Sequence, residues 1–284
     1  MGEMVERGRD GRLSIYSRAF LGLMRRDLCV LSREIAPFLI RVAMNPLLFL
    51  FVFTYVMPHM NSGAALSPAA GMSASGGGFG TVLLPGLMAV AIMVSGIAAV
   101  ALPLAQEFGI TREIDDRVMC PLPIAAVAAE KIVFSALQSI IAAALVFPLA
   151  YYIPSTPVLA HVNSWPFMIA VLLLASLLAG ALGLTIGTSV QPKQIGLIFG
   201  VVVVPITFLG CVYYPWAALG HDPHIKWLQI AVLINPIVYM SEGLRAALTP
   251  LEHMKEGYIL LGLVVFLFLL TSVGMKGFAR RVVS

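Results

Sequence analysis

The sequence predicts an all-α membrane protein. The expected layout is six transmembrane helices, an N-terminal amphipathic interfacial helix, a short cytoplasmic helix between spans two and three, and short outer re-entrant helices between spans five and six. Two observations carry this. Of 284 residues, 60% are hydrophobic and only 11% charged, whereas a soluble domain carries roughly 25% charge. The apolar residues also cluster in runs close to the roughly 20 residues that a helix needs to cross the hydrocarbon core.

Residues 1–34 form the N-terminal region, and 35–284 a single transmembrane domain. Within the first, "SIYSRAFLGLMRRDLCVLSRE" at 14–34 sets Ile15, Ala19, Leu23, Leu28 and Leu31 against Arg18, Arg25, Arg26 and Arg33. This predicts a helix lying in the interface, its apolar face in the acyl boundary and its arginines on anionic membrane lipid. It does not read as a cleavable signal, because Arg and acidic residues mix there and the long apolar run begins only after Glu34.

The spans are expected at 36–57, 81–105, 127–153, 166–190, 195–214 and 257–275. They are too long and continuous for barrel strands. Pro46, Pro85, Pro103, Pro148 and Pro205 fall inside them, and each predicts a kink. Residues 61–80, rich in Gly, Ser and Ala, read as a flexible outer connection. Residues 215–256 form a second outer connection. It is interrupted at Asn235-Pro236, where one short helix should end and another begin, because proline disfavours helix at the residue before it.

Orientation follows from charge. With the N-terminus cytoplasmic, only Lys226, Arg245 and Lys255 of the 18 Lys and Arg residues lie outside. That asymmetry places both termini inside. All five histidines (His59, His161, His221, His224 and His253) then fall on the outer side. The net charge of +4 therefore reflects membrane topology and no nucleic-acid partner is implied.

Several chemistries are excluded. No G-x-x-x-x-G-K-[ST], G-x-S-x-G, H-E-x-x-H or C-x-x-C motif occurs. The three cysteines are too scattered for a disulfide framework or zinc site. His221-Asp222-Pro223-His224 offers two imidazoles but no third ligand, so no metal site is expected. The span centres hold almost no ionisable groups, which argues against an ion-coupled carrier. Energy should then come from a partner.

The charge-dense stretch "QEFGITREIDDRVMCPLP" at 106–123 interrupts the apolar runs and lies on the cytoplasmic side. Ile110, Ile114 and Val118 repeat every four residues, on one helical stripe. Arg112, Glu113, Asp115, Asp116 and Arg117 occupy the remainder, and Pro121 and Pro123 end the helix. A short stiff amphipathic helix at the root of span three results.

In order, "RRDLCVLSRE", "NPLLFLFVFTYVMP", "LLPGLMAVAIMVSG", the Glu107-Phe108-Gly109 motif ending in Pro121-Leu122-Pro123, and "INPIVYMSEGLR" resemble the permease subunits of ABC-2 type exporters over nearly the whole chain. The long Gly/Ser/Ala loop and Asp115-Asp116 depart from the pattern. The resemblance implies export of an amphiphile, such as a lipid, lipid-linked glycan or hydrophobic drug, across a bacterial inner membrane. It implies a second permease subunit, identical or related, and a separate cytoplasmic ABC ATPase that holds ATP and Mg; this chain has no cofactor of its own and is not an enzyme. Residues 107–118, including Glu107, Gly109 and Ile110, would form a coupling helix seated on the ATPase, with the interfacial helix alongside. The substrate path would be lined by spans two and five, at Met93, Ile97, Val201, Pro205 and Phe208. Asn235, Pro236, Glu242 and Arg245 would close the outer end, with Glu242 and Arg245 expected as a weak surface pair. Two alternatives stay open: a non-transporting scaffold or sensor, and a membrane enzyme using the outer histidines with Asp222 and Glu242.

Overall fold

The computed structural model describes residues 2–56, 79–108, 123–153, 158, 160–220 and 224–283. Helix α1 spans Gly2–Arg33. A bend at Glu34 separates it from α2, Ile35–Leu50, which runs on as a π-helical turn to Val56. Then come α3 (Phe79–Gln106), α4 (Ile124–Tyr152) and α5 (Trp165–Ser189). Helix α6 covers Ile195–Phe208 and contains a π-helical turn at Phe199–Val203. Short α7 (Lys226–Ala231), α8 (Pro236–Leu248) and long α9 (Glu256–Val283) complete the chain. No strand occurs among the described residues.

Among the described residues, five helical stretches are long and apolar enough to cross a membrane: Ile35–Val56, Gly80–Gln106, Ile124–Tyr152, Trp165–Ser189 and Glu256–Val282. The fifth expected span, 195–214, differs. Its helix stops at Phe208, so α6 is about 21 Å long at 1.5 Å per residue, short of the roughly 30 Å hydrocarbon core. The chain turns at Leu209–Gly210. Cys211 then adopts a left-handed conformation, φ 52°, which no helix continues through. A Cβ at Gly210 would overlap the Ile237 side chain. Residues 209–214 are thus a turn held against α8, and the helical reading of 195–214 is too long.

Helix α3 is the axis of the bundle. Its apolar window is 78% buried, against 22% for the windows of α2 and α9. The peripheral helices turn apolar side chains outward, Ile40, Met44 and Leu48 on α2 and Leu261, Val264 and Phe268 on α9. Such faces are a liability in water and suit lipid.

Lipid gives apolar helices no hydrophobic reason to associate, so small residues and interhelical hydrogen bonds decide the packing. On α5, Gly180, Gly183 and Gly187 face neighbouring backbones. A Cβ at Gly183 would lie 3.0 Å from Ile97 Cα, and one at Gly187 would lie 3.1 Å from Ala101 Cα. Gly180 meets Ser135 and Ile132 of α4. Hydroxyls add direction. Ser139 Oγ donates to Ile92 O on α3 at 3.1 Å. Thr185 Oγ1 lies 2.9 Å from Leu270 O on α9.

Gly183→Ala should therefore lower stability by about 1–3 kcal/mol through forced separation of α3 and α5. Gly257→Ala, where an added Cβ meets nothing within 4 Å, should leave it unchanged. Thermal unfolding of both variants in detergent measures the difference.

Candidate functional site

Two polar constellations occupy opposite ends of the bundle. At the basic end, α3 continues through Glu107 and Phe108 in a π-helical turn. Lys131 Nζ donates to Glu107 Oε1 at 2.9 Å, and both side chains are buried. The pair ties the end of α3 to α4 across residues 109–122. Glu130, one residue before Lys131, is fully buried as well. Burying two charges costs several kcal/mol of hydration per ion, so such a pair registers two helices more than it stabilises them.

Arg281, near the end of α9, completes this end. Its Nη1 lies 3.0, 3.2 and 2.7 Å from the carbonyl oxygens of Gly187, Thr188 and Val190. Those are the orphan carbonyls of the C-terminus of α5, where a cation also meets the negative end of the helix dipole. The same guanidinium sits 5.0 Å from the centroid of the Phe108 ring, a cation–π contact. Phe108 in turn packs edge-on against Phe278. Leu23 of α1 is buried in the apolar cluster beneath, with Leu104, Val127, Ile132 and Leu184. The root of the charge-dense stretch is therefore fixed from α1, α4, α5 and α9.

At the opposite end, Glu242 and Arg245 of α8 pair as expected from their spacing, but not on a surface. Both are fully buried. The reason lies in the partners that the sequence spacing conceals. Glu242 Oε1 also accepts from the Trp216 backbone N–H at 2.9 Å, and Oε2 accepts from the Met254 N–H at 3.0 Å. Arg245 Nη2 donates to Cys211 O at 3.1 Å. One ion pair thus holds the segments before and after α8 and the turn after α6.

Asn235 is the N-cap of α8, its Oδ1 accepting from Ile237 N–H, while its Nδ2 donates to Ile206 O at 2.6 Å. Pro236 follows as the first helical residue, where its missing N–H is harmless. Asn163 Nδ2 donates to Ala246 O at 3.0 Å at the other end of α8.

The remaining expected site residues divide. Arg18, Arg25, Arg26 and Arg33 are exposed on α1. Met93 and Ile97 are fully buried in the core, where Ile97 meets Gly183. Val201, Pro205 and Phe208 are exposed on α6. These five are not brought to one surface, because α5 covers the α3 residues. Gly109, Ile110, Arg112, Glu113, Ile114, Asp115, Asp116, Arg117 and Val118 lie outside the described residues, as do His221 and Asp222. Phe108, Lys131, Arg281, Trp216, Cys211 and Met254 escaped the sequence reading. Three of them act through a backbone group, which any residue type supplies.

Removing one partner of the fully buried pair strands the other charge. Arg245→Ala or Glu242→Ala should cost about 3–5 kcal/mol, and the double replacement Glu242→Gln with Arg245→Met less than the sum. Unfolding midpoints of the three variants in one detergent test this.

Against known families, the one described as ABC-2 type transporter matches residues 18–249. Comparison with curated proteins and with solved structures gives no match. The family match runs from Arg18 in α1 to Thr249 at the end of α8 and takes in Glu107, Phe108, Lys131, Trp216, Glu242 and Arg245, while Met254, Phe278 and Arg281 lie beyond it. The chain belongs to the ABC-2 type transporter family, and is a multi-pass membrane permease of an ABC transporter.

Proposed function

We propose that the chain is one permease of an ATP-driven exporter, moving an amphiphile outward across a bacterial inner membrane with both termini cytoplasmic. The observation that carries this is the pinned root of residues 109–122. Glu107–Lys131 and Arg281–Phe108 hold both neighbouring helix ends. A rigid-body motion delivered there by an ATPase reaches α3, α4, α5 and α9 together, because interfaces and packed helices shift as units. The coupling helix at 107–118 is the contact with the ATPase, which supplies the ATP and Mg sites. The charged residues Arg112, Glu113, Asp115, Asp116 and Arg117 set the match to that surface.

The layout is six spans, with α6 as a short fifth and α7 and α8 as outer re-entrant helices. Helix α6 also supports pairing of two permeases. Gly196 and Gly200 form a G-x-x-x-G step with nothing within 4 Å of an added Cβ. Leu197 and Val201 beside it are exposed. Such a step lets two helices approach closely in lipid. Val201, Pro205 and Phe208 then line the path between the two copies, and Asn235, Pro236, Glu242 and Arg245 frame its outer end. The apolar lining suits a lipid, a lipid-linked glycan or a hydrophobic drug.

With the cognate ATPase, Gly109→Pro and Ile114→Asp should abolish substrate-stimulated ATP hydrolysis while membrane insertion is retained. Normal stimulation in both variants would discard the coupling helix. Gly200→Leu should shift the purified permease toward monomer by about tenfold or more, the scale of one lost close helix contact. Mass photometry in nanodiscs reads this directly.

A further inference from the structure

A cavity of about 550 Å³ opens at the basic end between α1, α2, α3 and α4. That size lies in the range of small-molecule sites, roughly 300–1,000 Å³. One side is apolar, from Ala98, Leu102 and Phe134. The rest of the lining carries both signs, Arg26, Arg41 and Lys131 with Asp27, Glu34 and Glu107, and two of its polar groups, Gln138 and the exposed Arg41, are unanswered.

Arg41 sits six residues into α2, between Ile40 and the exposed Met44. It lines the cavity and makes no ion pair or hydrogen bond with any described residue. Lys131, by contrast, is neutralised by Glu107. Gln138 lines the same cavity and is 8% exposed. It too has no hydrogen-bond partner among the described residues. It lies 14 residues into α4, about 21 Å along the helix, so the polar lining reaches well along α4. An ionisable group at membrane depth is costly unless it meets a partner. The Gln138 amide is open to the cavity and can meet a polar ligand there.

We propose that this cavity binds the phosphate-bearing headgroup of an amphiphile from the adjoining leaflet. The planar guanidinium of Arg41 donates to the phosphate oxygens, a match of geometry as well as charge. The Gln138 amide donates from deeper in the cavity. Ala98, Leu102 and Phe134 take the first apolar groups of the stem. The described lining comes from this one chain, and the binding test uses neither a second permease nor an ATPase. Its test therefore stands or falls apart from the export reading.

The full chain, purified in detergent, is titrated with phosphatidylglycerol and with diacylglycerol of the same acyl chains, and bound lipid is counted by native mass spectrometry. The phosphate-bearing lipid should bind about tenfold tighter, the scale of one charge-assisted hydrogen bond. Arg41→Gln should bring it down to the diacylglycerol level, and Arg41→Lys should restore part of the difference. Ala99→Phe, which fills the cavity from α3 without changing a charge, should also abolish phosphatidylglycerol binding. Lys276→Gln, exposed on α9, should have no effect. Unchanged binding in Arg41→Gln and in Ala99→Phe would overturn the proposal. So would an equal loss in Lys276→Gln, which marks surface attraction alone. Inorganic phosphate that binds as tightly as the lipid would replace the amphiphile by a free oxyanion and overturn it as well.

Discussion

The structure depends on how closely α5 can approach α3. In lipid the apolar side chains of both helices are equally content facing acyl chains, so association rests on dispersion contacts and hydrogen bonds that need short range. Gly183 and Gly187 provide that range. Once α5 lies against Ile97 and Ala101, its other side presents Thr185 to α9 and Gly180 to α4. The bundle is assembled around this seam, and the polar groups at its two ends are placed as a result.

Those polar ends solve the same difficulty differently. Glu107 and Lys131 join two long helices with a single hydrogen-bonded pair. Glu242 and Arg245 lie on one short helix and reach outward to three separate backbone segments. The first arrangement fixes the spacing of two levers. The second turns three irregular stretches, which have few hydrogen bonds of their own, into one rigid cap. In both, the charge is retained at a cost in hydration, which fits a role in register more than in net stability.

The all-helical membrane class was legible in the sequence because composition and run length are global properties. The ends of the long apolar helices fall within a few residues of the apolar runs for the same reason, except that α9 runs to Val283 against an expected 275. The break at Asn235 was legible too, since an Asn-Pro step carries a local mechanism. The short α6 was not. Its apolar run continues past Phe208, and only the contact of Gly210 with Ile237 and the left-handed Cys211 stop the helix. The burial of Glu242 was hidden because two of its donors are the backbone N–H groups of Trp216 and Met254. Arg281 read as one more terminal positive charge, although the carbonyls it meets lie more than ninety residues earlier.

That separation has a consequence for the order of events during biosynthesis. The C-terminus of α5 leaves the ribosome 91 to 94 residues before Arg281 does. At common synthesis rates the interval is on the order of ten seconds. Throughout it, the carbonyls of Gly187, Thr188 and Val190 have only water or lipid headgroups to bond. The basic end, unlike the helical seam, is therefore the last part of the nascent chain to set. A chain that ends within α9 lacks Arg281, and with it the contact that anchors Phe108 and the carbonyls at the end of α5.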